Sequence, residues 1–159
     1  MGVRLSKQLS LVTTWALPAW SAGPAAEDDV FATAAAAGYE GVQVFLPEQA
    51  SAARAAGLEA SAISPARTAA EVDGLCAMWS AGEASSLTLH LGTGFETAEE
   101  AEALVTAMVA SAARHGVTVL VETHRGTLFQ DPARALALVD RFPELRFTAD
   151  LSHWYTGVE

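Results

Sequence analysis

Two acids and three histidines are the residues in this chain best placed to do chemistry: Glu122 and His124 in "VETHRGTLF", Asp150 and His153 in "TADLSHW", and His90 in "SLTLHL". Carboxylates converging with imidazoles suit a divalent cation that takes oxygen with some nitrogen, such as Mn, Mg, Co or Zn. Two carboxylates alone would repel and raise each other's pKa, so a shared cation is a natural way to keep both ionised. Whether they converge depends on the elements that carry them.

Side chains two apart on a strand share a face. In "SLTLHL", Leu87, Leu89 and Leu91 oppose Ser86, Thr88 and His90; in "VTVLVETH", Val117, Val119 and Val121 oppose Thr118, Leu120, Glu122 and His124. In "LRFTAD", Leu145, Phe147 and Ala149 oppose Arg146, Thr148 and Asp150. Each of these segments thus has an apolar face for helices and a polar face for something else. An open doubly wound sheet would be apolar on both faces. A barrel fits better, because its inner face can carry polar groups toward a site at the carboxyl ends of the strands. His153, three residues past Asp150, is expected to have left the strand and to curl over that mouth.

Strand-like and helix-like segments alternate throughout, the pattern of a parallel sheet with helical crossovers. Strands are expected near 8–14, 41–45, 58–63, 86–91, 117–123 and 145–150. Thr97 with Glu100 three residues on starts the clearest helix, and Gly116 ends it. Asp131 and Pro132 start another that Pro143 stops. Glu27, Asp28 and Asp29 precede an alanine run that Gly38 closes, and weaker helices are expected over 48–56 and 68–80. With no repeat, linker or low-complexity tract, residues 1–159 read as one domain.

Composition narrows the classes. A chain of 159 residues that is 51% hydrophobic and 18% charged can bury a core. Nineteen acids against nine bases give a formal charge of -10 with no basic stripe, which argues against nucleic acid as a partner. The lone Cys76 cannot form an internal disulfide, so a reducing, cytoplasmic setting is expected. No run approaches the roughly 20 apolar residues of a membrane span, so no membrane partner is expected. The N-terminal "LSLVTTWALPAW" behind Arg4 and Lys7 loosely mimics a secretory signal, yet Thr13, Thr14 and Pro18 interrupt it, and it reads equally well as a first barrel strand.

"VLVETHRGTLF", followed by "DLSHW" with Asp150 28 residues after Glu122, resembles the sugar phosphate isomerase/epimerase family of xylose isomerase-like TIM barrels, which also includes ketose 3-epimerases and endonuclease IV-type enzymes. "AAAAGYEGVQV" at the second strand is similar too. The resemblance implies an α/β fold of (β/α) TIM-barrel type. It implies that Glu122 binds the metal and moves a proton, and that Asp150 is a ligand. It further implies that His153 holds a substrate oxygen or a further metal, and that His90 is a ligand as in the endonuclease branch. That branch also has a histidine after strand three, and "AISPAR" has none. About eight strands and some 250 residues make a full barrel; this chain is expected to hold the first six βα units and to lack a later histidine and glutamate.

The function so implied is a metal-dependent isomerase or epimerase of sugars or sugar phosphates, working by proton transfer next to a carbonyl. The alternatives are a catalytically incomplete piece of that fold, completed by a second copy or a further segment, and an endonuclease. Plainer readings stand beside each residue. Glu122 and Asp150 could pair with Arg146, while His90 and His124 could be hydrogen-bonded inner residues. His115 suits the end of its helix dipole. Arg125 is placed to meet an anionic substrate or to neutralise the local acids. Trp15 and Trp154 suit a sugar-pocket wall or the core, and Cys76 suits packing.

Overall fold

The structure, a computed structural model, describes residues 11–13, 27–82 and 84–156. The chain divides into two compact units, residues 1–61 and 62–159.

In the first unit, β1 (Leu11–Thr13) pairs parallel with β2 (Gly41–Val44), Val12 opposite Val42. Between them runs α1 (Glu27–Ala36), with Gly38 just beyond its end at φ 87°. β2 is followed by α2 (Pro47–Ala55), which begins on proline. Proline costs nothing in that first helical position, where its missing N–H would have had no partner. Gln49 reaches back so that its Oε1 accepts from the backbone N–H groups of Phe45 and Leu46. Phe31, Ala34, Val42, Val44, Ala50 and Ala53 are buried.

β3 (Glu59–Ala66) leads into the second unit, which continues with α3 (Ala69–Trp79), β4 (Leu87–Leu91), α4 (Ala98–His115) and β5 (Val119–Glu122). It ends with α5 (Pro132–Arg141), β6 (Phe147–Thr148) and α6 (Leu151–Thr156). β3 pairs with β4, β4 with β5 and β5 with β6, all parallel. The expected apolar face is buried at Leu87, Leu89, Leu91, Val121 and Leu145, but Val117, Val119 and Phe147 are half-buried and Ala149 is exposed, while Thr88 of the other face is buried too. Val72, Cys76 and Val105 are buried on α3 and α4, two helices that pack against each other.

Local chemistry explains the helix limits. Thr97 accepts from the Glu100 N–H while Glu100 accepts from the Thr97 N–H, the reciprocal cap expected from sequence, and Thr68 with Glu71 repeats it on α3. Such a cap contributes about 1 kcal/mol. Gly116 closes α4 in the left-handed conformation at φ 67°. Asp131 accepts from the Arg134 N–H at 2.8 Å to start α5.

Strand limits differ from expectation at both ends of the sequence of the second unit. β3 runs on to Ala66, and β6 is only two residues long. The reason for the short β6 is local: the Asp150 carboxylate accepts from the Ser152 N–H and hydroxyl, which turns the chain out of extended geometry into α6.

Candidate metal centre

On the inner face of the second unit, the Thr88 and Thr148 hydroxyls meet at 2.8 Å, so the two polar positions share one side as the alternation requires. Register places Glu122 opposite Thr148. One step along β4, His90 Nε2 lies 3.1 Å from Glu122 Oε2. Glu122 is buried, 7% exposed, and His90 is its one hydrogen-bond partner among the described residues.

Three imidazoles lie next to one another, and the first of them, His90, meets this carboxylate. The rings of His90 and His124 are 4.2 Å apart and those of His124 and His153 are 4.0 Å apart. The Arg125 carbonyl can only accept, so its bond to His124 takes the proton on Nδ1 and leaves Nε2 free of that contact. His153 Nε2 is 3.5 Å from Asp150 Oδ2. Burial first, then the charges of His124 and Arg125, hold the His153 pKa below its ordinary 6.5, while Asp150 pulls it up. The hydroxyl of Ser152, then its N–H and the nearby His153, hold Asp150 below its ordinary 3.8 against partial burial.

Glu122, Asp150 and His153 offer ligand atoms all within 4.8 Å of one another, and so do His90, Glu122 and His124. These groups could hold a metal ion: two carboxylates and an imidazole in the first, one carboxylate and two imidazoles in the second. By donor type, both fit a divalent cation that accepts oxygen and nitrogen.

The placement of the other expected residues is mixed. Asp150 does not end a strand; it sits past β6, and the start of α6 brings it to Glu122. Arg146 meets neither acid and donates instead to the carbonyls of Pro143 and Leu145. Trp154 turns away from the cluster. Its indole N–H donates to the Phe129 carbonyl, and its ring lines a small apolar cleft with Ala135, Val139 and Phe147. His115 bonds to Asp73 at 3.0 Å, more than the helix dipole alone would ask. Arg125 is exposed, and Trp15 lies outside the described residues.

Sequence reading missed the residues that hold the His124 turn. Thr127 donates to the His124 carbonyl at 2.6 Å, and Gln130 Oε1 accepts from the Gly126 N–H at 2.9 Å. Leu128 N–H donates to the Leu91 carbonyl, tying the turn to β4. Gly94, at φ 85°, lies so close that a Cβ would meet Gln130 Nε2 at 2.3 Å. The glycines of "GTG" and "HRG" were the available signal. A separate groove of about 480 Å³ opens between the first turns of α3 and α4, lined by Arg67, Thr93, Phe95, Glu96 and Glu100, and includes none of the cluster.

No protein-family profile matches this chain, and no curated protein does. Solved structures do match. The probable 3-DHS dehydratase AsbF from Bacillus anthracis is 16% identical, with a TM-score of 0.70 over 94% of this chain and 66% of that one. D-allulose 3-epimerase from Methylomonas sp. in complex with D-allulose is 20% identical, with a TM-score of 0.64 over 92% and 64%. A 3-keto-D-glucoside 4-epimerase from E. coli is 11% identical, with a TM-score of 0.60 over 89% and 67%. The fold shared with these TIM-barrel enzymes is α/β, parallel strands with surrounding helices, and among the described residues the sheet is not closed. The chain spans about two thirds of the length of the dehydratase and the allulose epimerase.

Proposed function

We propose that this chain carries the metal-binding half of a sugar or sugar-phosphate isomerase or epimerase that moves a proton next to a carbonyl. The observation that supports it most is the meeting of Glu122, Asp150 and His153 within 4.8 Å. These three residues would hold a divalent cation, of the Mn, Mg, Co or Zn kind. When bound, the cation supplies positive charge that polarises a ketose carbonyl and favours loss of the neighbouring proton.

The remaining work falls to the chain's own side chains. Glu122 takes the proton from the carbon next to the carbonyl, leaving an enediolate, and returns it. Return by Glu122 to the neighbouring carbon moves the carbonyl, whereas inversion of the centre requires a second acid to deliver a proton to the opposite face, which the completing segment or copy would bring. His153 would reach either the cation or a substrate oxygen, and His124 Nε2 would meet a substrate hydroxyl. Arg125 is exposed at the turn, where it can meet a phosphate, and Trp15 is proposed for the pocket wall. A second outcome has its own support in the dehydratase neighbour: after the same proton removal, a hydroxide leaves from the next carbon and water is lost.

Incubating the protein with Mn²⁺ and a panel of ketopentoses and ketohexoses in D₂O tests this reading. Deuterium entering the carbon next to the carbonyl, with epimer or aldose appearing, is the expected result. Loss of water without exchange back would favour dehydration. Neither exchange nor product with any sugar or sugar phosphate would count against catalysis by this chain and favour the incomplete piece. For that piece, completion by a second copy or a further segment is proposed at the β6 edge, which pairs only with β5 among the described residues.

A further inference from the structure

We infer that His90 is a positioning residue that holds Glu122 by a hydrogen bond, and does not itself bind the cation; this rests on Glu122 being a ligand, as proposed above. An ionised carboxylate only accepts, so the 3.1 Å contact requires the proton on His90 Nε2. A nitrogen carrying that proton has no lone pair for a metal.

Three further observations favour donation over ligation. First, Glu122 is buried, and a buried carboxylate oxygen without a donor is costly. Turning His90 onto a cation would strip Oε2 of its one hydrogen bond among the described residues. Second, the His90 ring is stacked on His124, 4.2 Å between centroids and 28° between planes, in the orientation that carries the contact to Glu122. Third, Glu122, Asp150 and His153 already supply two negative charges for a divalent ion, whereas the group containing His90 supplies one. Held at Oε2, Glu122 is left with Oε1 to face the cation or the substrate proton. Hydrogen-bonded partners of this kind fix the orientation of ligating carboxylates, and their loss typically weakens metal binding about 10- to 100-fold.

The test combines imidazole ¹⁵N spectra of the wild-type protein, with and without one equivalent of Zn²⁺, and Mn²⁺ calorimetry on variants. Before Zn²⁺, His90 should show the Nε2–H form; afterwards it should keep that form while His153 takes the shift of a ligated nitrogen. His90→Gln, which retains an N–H near the same place, should bind Mn²⁺ within about threefold of wild type. His90→Ala should bind about 10- to 100-fold more weakly with unchanged stoichiometry. A His90 found protonated on Nδ1, or losing its Nε2 proton to Zn²⁺, overturns the inference while leaving Glu122 a ligand. So does His90→Gln binding as weakly as His90→Ala. Absence of any metal binding in the wild type overturns both this inference and the reading it rests on.

Discussion

Glu122 is the residue on which both candidate metal groups depend, since it belongs to each. Replacing it with glutamine keeps its size and removes its charge, so Glu122→Gln should lose Mn²⁺ binding and proton exchange together. Asp150→Asn should weaken Mn²⁺ by at least tenfold yet leave the fold standing, because the amide oxygen can still accept from Ser152; thermal unfolding beside calorimetry separates the two effects. Much of this residue set was legible in the sequence. Alternation in "SLTLHL" and "VTVLVETH" put His90 and Glu122 on one face, and the structure joins them at 3.1 Å. What alternation could not convey was anything beyond a strand's end. Asp150 reaches the cluster through a helical turn, and Trp154 lies against α5 with its indole N–H donating to the Phe129 carbonyl in the segment before that helix.

Among the elements, the turn after β5 and the turn after β4 support the site by touching each other. Gly94→Ala would force a side chain into Gln130 and into the Thr127 carbonyl at 2.9 Å, from a positive φ that alanine adopts poorly. It should destabilise the protein by more than about 1 kcal/mol in urea unfolding. Helices were the most legible elements because their signals are local: Thr97, Glu100 and Gly116 specify α4 within its own sequence. The α3–α4 clamp was not legible, since Asp73 meets Ser111, Arg114 and His115 only after folding. The His115 hydrogen bond first, then that of Ser111, hold the Asp73 pKa below its ordinary 3.8. A depressed folded-state pKa stabilises the protein above the unfolded value, and that stabilisation is lost as pH falls through the folded one. Asp73→Asn should therefore lower the melting temperature near pH 7, and the gap from wild type should close as pH drops below about 4, which melting curves across pH would check.

At the scale of the whole molecule, a formal charge of -10 sets the chain against polyanions, and no helix among the described residues is long and apolar enough to cross a membrane. The barrel type followed from the alternation of elements and from polar inner faces. The division at Ser61, by contrast, has no linker or composition change to announce it. Leu136 on α5 and Leu151 at the start of α6, the helices that flank β6 in sequence, are each 65% exposed. An exposed strand edge with apolar neighbours favours association. Light scattering should report a mass above the 16.6 kDa of one chain; a well-folded species of that single mass would contradict completion by a second copy.

Mn²⁺ calorimetry on the wild type, Glu122→Gln and Asp150→Ala tests most directly whether these acids grip one ion. The expected result is one Mn²⁺ per chain for the wild type, with binding lost in Glu122→Gln and at least tenfold weaker in Asp150→Ala. A wild type that takes up no Mn²⁺, or variants that bind it as the wild type does, would contradict the account.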